Sequence, residues 1–266
     1  MMGVAKDLER HRRADRGGSS RPGPRDRFPT AASRRSSGVS SDDLRISATA
    51  RGARQLDSIL VDVARHLACQ PPRSLLDLGC GMGGLTSHVG RALRIGQLFG
   101  ADYDPAHAEA AKGNGVQVSV LDLNAEPVPL PDGAVGMVSS FGLLAYLSLY
   151  DNALSETVRV LEPGGWFLLS MPNLGSYANR LRLLLGRQPD AVEVSAALHP
   201  ARTQAPMLHS ATLRCMRGLL RRYGFTVTAE WGFTPDSRRH RLGFLDPLFR
   251  PFPSLSRRFI VLARKS

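Results

Sequence analysis

Ser74-Leu-Leu-Asp-Leu-Gly-Cys-Gly-Met-Gly-Gly84 is the stretch on which the reading of the whole chain turns. A short apolar strand runs into a loop with four glycines in six residues, and Leu85–Leu93 then has helical spacing. Glycines let the backbone turn sharply and let a ligand approach where a Cβ would clash. Two templates fit. One is a dinucleotide fingerprint, Gly79-x-Gly81-x-x-Gly84, with Asp102 placed to meet a ribose. The other is acid-x-Gly-x-Gly-x-Gly, read as Asp77, Gly79, Gly81 and Gly83, with Cys80 inside it. The glycines alone do not choose between them.

On the C-terminal side the pattern alternates. Gln97–Asp102 and Val116–Leu121 read as strands, with a short helix over Pro105–Lys112 between them. Ala134–Ser140 and Gly165–Met171 read as two more strands. Asp151 is expected to cap a helix whose apolar positions are Leu154, Val158 and Leu161. Strand and helix in alternation predict a parallel sheet covered on both faces. Upstream, Leu56, Ile59, Leu60, Val63 and Leu67 share one face of a helix near residues 50–69, which Pro71-Pro72 ends. Residues 176–186 predict a helix and 187–211 a loop; Thr212 caps a helix to about Tyr223, and Gly224 ends it. Phe225–Trp231 and Arg258–Ala263 predict two strands, with a connection too long for a tight hairpin.

Over most of residues 74–232 these motifs resemble, in order and spacing, the class I S-adenosylmethionine-dependent methyltransferases. Gly100-Ala-Asp-Tyr-Asp-Pro105 matches that family's second strand end, and Leu121-Asp122-Leu123 its third. Pro129-Leu-Pro-Asp-Gly-Ala-Val-Gly-Met-Val-Ser-Ser140 matches the run into strand four, and Arg159-Val-Leu-Glu-Pro-Gly-Gly165 the turn into strand five. The resemblance implies a Rossmann-like α/β fold. Its sheet has seven mostly parallel strands, helices on both faces and an antiparallel last strand. It implies S-adenosyl-L-methionine as cofactor, held by Asp77, Gly79, Cys80, Gly81, Gly83, Asp102, Tyr103, Asp122, Leu123 and Ser140. Asp102 would accept from both ribose hydroxyls, Tyr103 would lie against the adenine, and Asp122 would meet the adenine amino group. Nicotinamide binding is then disfavoured.

Ser170-Met-Pro-Asn173 and the Arg- and Leu-rich residues to Gly186 are similar to methyltransferases of methionine and ubiquinone biosynthesis. Many of these carry Leu-Glu-His after strand four, where this chain has Leu144-Ala145-Tyr146. Relatives often place a His just before the Thr that opens the late helix; here Met207 stands there, with His209 two residues on. No catalytic base is therefore carried over. Tyr146, Asn173, Tyr177 and His209 are the candidates for lining the acceptor site, and no metal site is expected. The expected enzyme transfers a methyl group to oxygen, nitrogen or carbon of a small molecule. The alternatives are a binding protein that keeps the cofactor but has lost turnover, and a nucleic-acid methyltransferase. Enzymes acting on base amines usually carry Asn/Asp-Pro-Pro-aromatic after strand four, whereas this chain has Ser139-Ser-Phe-Gly142.

Composition narrows the classes further. The chain has 266 residues, 42% of them hydrophobic, enough for one α/β domain and a tail. Residues 1–45 are rich in Arg, Ser, Gly and Pro and are expected to be disordered, leaving 46–266 as the methyltransferase-type domain. Residues 1–40 hold nine Arg and one Lys against four carboxylates, half of the chain's net charge of +12. Phe28 is the one Phe, Tyr or Trp among that charge, too little aromatic interleaving to support nucleic acid as partner. Cys69, Cys80 and Cys215 form neither a disulfide framework nor a zinc pattern, so a reducing, cytoplasmic compartment is expected. There is no uninterrupted apolar run long enough to span a membrane, and Arg12-Arg13 is not followed by the apolar run of an export signal. Arg238–Arg258 mixes arginines with Phe244, Leu248, Phe249 and Phe252; it reads as a loop anchored by its aromatics, or as a lid or lipid-headgroup patch. Oligomeric state is not legible.

Overall fold

The computed structural model describes residues 50–189, 207–234 and 243–266. The expected tail, 1–45, lies outside them, as do most of the loop predicted over 187–211 and the first part of the Arg238–Arg258 segment.

Helix α1 (Ala50–Leu67) buries Leu56, Ile59, Leu60, Val63 and Leu67, the face predicted from their spacing. Strand β1 (Ser74–Leu78) leads through the glycine loop into α2 (Gly84–Leu93), then β2 (Gln97–Asp102), α3 (Pro105–Gly113) and β3 (Gln117–Val120). Strand β4 (Val135–Phe141) ends at Gly142 and a 3-10 turn, Leu143–Tyr146. After it come α4 (Asp151–Val160), β5 (Leu161–Pro172), α5 (Tyr177–Leu184), α6 (Leu213–Arg222) and β6 (Phe225–Phe233). A short helix α7 (Asp246–Phe249) and strand β7 (Arg258–Lys265) complete the described elements.

The seven strands form one sheet in the order β3-β2-β1-β4-β5-β7-β6. All neighbours from β3 to β5 pair in parallel, while β7 is antiparallel to both β5 and β6. β1 and β4 are buried along their whole length, as a strand covered on both faces must be. One apolar layer joins Leu76, Val138, Phe167 and Val261 to Leu154, Met216 and Leu220. The layer on the other face joins Met137, Leu168 and Ile260 to α1 and to Leu85 and Val89 of α2.

Two expectations need correcting. Asp151 does not cap α4: Tyr150 is already in right-handed helical backbone and is the cap residue. The Asp151 carboxylate instead accepts from the Tyr223 hydroxyl at 2.8 Å. Leu161, expected on that helix, is the first residue of β5; pairing with β4 begins there, slips at Pro163–Gly165, and resumes at Trp166↔Met137.

Candidate functional site

Parallel strands gather their C-terminal ends along one rim, and the loops that leave that rim are where α/β folds bind ligands. Here the glycine loop leaves β1 at the middle of the sheet, with β2 on one side and β4 on the other. Gly79 and Gly83 adopt φ of 74° and 75°, closed to most side chains. A Cβ on Gly79 would stand 2.9 Å from the Leu143 side chain, and one on Gly83 would stand 3.0 Å from the Ala111 backbone. Helix α2 starts at this loop without a side-chain cap, so its first N–H groups are directed at the loop.

Asp102 closes β2 and is 7% exposed. Its Oδ2 accepts from Gly81 N at 2.8 Å, and its Oδ1 from Asp104 N at 3.0 Å. His107 Nδ1 lies 3.2 Å from the same Oδ1. The strand-end carboxylate is thus fixed against the glycine loop, one residue before Tyr103, whose ring is 71% exposed. His107 was missed by the sequence reading. Its only signal was its place on α3, whose start is capped by Asp104 accepting from Ala106 N.

Asp77 plays a different part. It is 2% exposed, and its two oxygens accept from Thr86 Oγ1 at 2.5 Å and Ser139 Oγ at 2.6 Å. The carboxylate therefore ties β1 to α2 and β4 beneath the loop. Thr86 and Ser139 had no motif to mark them. Burial pushes the Asp77 pKa up to about 6, against the lowering effect of the two hydroxyls. The folded state thus holds this proton more tightly than the unfolded chain does. Stability contributed by the site falls as pH rises from about 4 to about 6, by an order of 2–3 kcal/mol, and is level above that. Urea unfolding between pH 4 and 7 is expected to show this slope in wild type and to lose it in Asp77→Asn.

Asp122 is exposed beyond β3, accepting from Asn124 N at 2.9 Å, and its own N–H donates to Glu126. Leu123 beside it is buried. Cys80 is a buried free thiol inside the loop. Ser140, near the end of β4, is fully buried and its hydroxyl has no hydrogen-bond partner. A buried unpaired hydroxyl costs stability unless something else satisfies it.

The acceptor candidates divide into two groups. Tyr146 sits half-buried on the 3-10 turn, and the Ala145 carbonyl on that turn accepts from Leu208 N and His209 N. His209 Nε2 is 2.8 Å from the Ser148 carbonyl, so that nitrogen carries the proton and donates. Its ring stands edge-on to Tyr150. Asn173 bridges to Ala211 at the β5 exit, so these residues meet around the ends of β4 and β5. The Asn173 side chain, however, is occupied: Nδ2 donates to the carbonyls of Pro253, Ser254 and Ser256, and Oδ1 accepts from Gly175 N. Tyr177 is likewise engaged, donating to Asp246 Oδ1 at 2.7 Å and stacking on Phe249. Burial and the Asp246 hydrogen bond push its hydroxyl up to about 12, which suits a structural donor and not a base. Asn173→Ala is expected to cost about 2–4 kcal/mol, since it strips partners from several buried groups. Calorimetry should show a lower Tm with cofactor affinity unchanged. Among the described residues no cluster of three or more His, Cys, Asp or Glu could hold a metal ion. No described helix is long and apolar enough to cross a membrane.

Residues 76–169 match the family described as a methyltransferase domain. The chain is 35% identical over 101 residues to a probable S-adenosylmethionine-dependent methyltransferase of Mycolicibacterium smegmatis, 38% of each chain. It is 34% identical over 110 residues to the demethylmenaquinone methyltransferase of Thermus thermophilus, covering 40% of this chain and 48% of that one. The matched stretch thus spans less than half of either relative. The structure of an S-adenosylmethionine-dependent methyltransferase from Mesorhizobium loti superposes with a TM-score of 0.50 at 17% identity, over 72% of this chain and 90% of that one. The two templates left open by the glycines are now separated. Dinucleotide-binding sheets run 3-2-1-4-5-6, whereas here an antiparallel β7 enters between β5 and β6. With that topology and the domain match in hand, residues 76–169 match a methyltransferase domain, and the sheet around them has the class I, Rossmann-like methyltransferase fold.

Proposed function

We propose that the protein transfers a methyl group from S-adenosylmethionine to a small-molecule acceptor. The observation that carries the reading is the Asp102 carboxylate. It is buried at the end of β2 and fixed by the Gly81 amide against a loop shaped by left-handed glycines. The donor set fits the cofactor. Asp102 supplies acceptors for a ribose diol. Tyr103 and Leu123 supply apolar surface for an adenine, and Asp122 an acceptor for its amino group. The uncapped start of α2 favours a carboxylate, and the unpartnered Ser140 hydroxyl gains a polar neighbour.

The bound cofactor supplies a methyl group already activated on sulfonium. The protein's part is to hold the acceptor in line, about 3–3.5 Å from the methyl, and to exclude water. In this reading Tyr146, on the turn after β4, and His209, hydrogen-bonded to the Ser148 carbonyl, would orient the acceptor. With Asn173 and Tyr177 engaged elsewhere, the reading requires no general base. That engagement also favours a second reading, a binding protein without turnover.

Calorimetric titration with S-adenosylhomocysteine, with NAD in parallel, tests the cofactor claim. Binding of the first alone is expected. Absence of binding in a folded sample would sink the proposal. Binding with no methyl-donor consumption across hydroxyl, amine and carbon acceptors would favour the second reading.

A further inference from the structure

The start of α5 and the segment around α7 form one built unit. The Tyr177 ring stacks on Phe249 at 4.3 Å, and its hydroxyl donates to Asp246. Tyr177 N donates to the Leu255 carbonyl, and Asn173 holds Pro253, Ser254 and Ser256. Helix α5 turns Ala178 and Asn179 toward the domain. Leu181 and Leu184, four and seven residues after Tyr177, continue its face outward.

This unit exposes apolar side chains that the described residues do not cover. Leu184 is 81% exposed and Phe244 75%, and Leu183, Leu185, Leu248 and Phe252 are all more than half exposed. Single exposed leucines need no explanation, but a cluster on one unit does. The exposed charge on its own described residues has one sign. Residues 174–189 and 243–257 carry five arginines and one carboxylate, Asp246. That carboxylate is buried and paired to Arg257 at 2.7 Å, so it presents no negative charge outside. Arg180, Arg187 and Arg250 are exposed beside the apolar side chains. Leucine and phenylalanine projecting among arginines, with no exposed acid in residues 174–189 and 243–257, match the two phases of an anionic bilayer surface. The apolar groups enter the acyl boundary and the cations meet the phosphates. A protein partner of matching chemistry would need acids at the rim and a groove for the leucines, whereas a bilayer needs neither.

We propose that this face docks the protein on an anionic phospholipid membrane. The test is co-sedimentation of the full chain with phosphatidylglycerol-containing vesicles and with phosphatidylcholine vesicles. Wild type is expected to partition onto the anionic vesicles. Leu184→Glu combined with Phe252→Glu, which leaves the basic N-terminal residues intact, should lower the partition coefficient at least roughly tenfold. Its Tm and adenosylhomocysteine affinity should match wild type. Equal partition of the variant would assign the binding to the N-terminal charge and overturn the proposal. So would a concentration-dependent dimer that the variant breaks, with no vesicle binding by wild type. A fall in Tm without vesicle binding would assign the leucines to packing within the chain. Should the double variant not fold, Leu184→Trp reads the same surface. A blue-shifted emission on adding anionic vesicles supports docking, and an unmoved emission refutes it.

Discussion

Asp102→Ala is expected to weaken S-adenosylhomocysteine binding by about 100-fold or more, the largest effect on function that a single substitution should produce here. A carboxylate accepting from both hydroxyls of a ribose makes two charge-assisted hydrogen bonds. Together they contribute about 3 kcal/mol or more, and each 1.4 kcal/mol is a factor of about ten in affinity. Truncation also removes the acceptor for Gly81 N–H at 2.8 Å and Asp104 N–H at 3.0 Å, so the glycine loop loses the anchor that shapes it. Asp102→Asn keeps the size and one acceptor and should fall between. His107→Ala removes only the ring beside Oδ1, and its effect should be smaller than either. Titration calorimetry reads all three. A dissociation constant within threefold of wild type for Asp102→Ala would remove the carboxylate from the cofactor site.

Gly232→Ala is expected to give the largest loss of stability, about 3 kcal/mol or more. Gly232 lies in β6 with backbone that other residues adopt, so the cost is steric and not conformational. An added Cβ would stand 2.4 Å from the Arg250 carbonyl and 2.1 Å from Ser256 Oγ. The serine cannot simply rotate away, because its hydroxyl donates to the carbonyl of Phe249 and its own carbonyl is held by Asn173. The segment 249–256 must lift from the sheet or the strand must bend, and overpacking of this kind costs about 1–3 kcal/mol even where neighbours yield. A thermal melt should show Tm lower by about 6–12 °C. Cofactor affinity at 15 °C should hold, since the glycine loop lies at the far side of β5 and β7. A Tm within 2 °C of wild type would mean that the 249–256 segment is loosely seated.

The sequence disclosed these two positions unequally. The position of Asp102 was legible because a carboxylate at a strand end, at fixed spacing from a glycine loop, is a pattern local in the chain. The strands and helices of the cofactor half were legible for a related reason. Their apolar runs are short, continuous and bounded by Gly, Pro or Asp, as buried parallel strands require. Gly232 was not legible, since what makes it necessary is a carbonyl 18 residues away in an irregular segment. The same holds for Asn173. A Pro-Asn pair at the end of β5 reads as a pocket residue until the segment that takes up its amide is seen. Asp77 was placed in the loop motif, but its partners Thr86 and Ser139 come from two other elements and carry no pattern of their own. Asp151 was misread as a cap because a single turn of backbone at Tyr150 decides where α4 begins.

The insertion of β7 between β5 and β6 has a consequence for how the chain reaches its folded state. β1 to β5 can assemble by successive local crossovers, but β5 is then left with an open edge along Trp166–Pro172 until Arg258–Lys265 arrives. Closing a loop of that separation is slow compared with forming the crossovers. In the interval the nascent sheet offers a continuous apolar strand with unpaired N–H and C=O groups, the template on which chains pair with one another. Refolding yield should therefore fall with protein concentration. Any substitution that delays docking of the β6–β7 pair should deepen that loss, even where final stability is little changed.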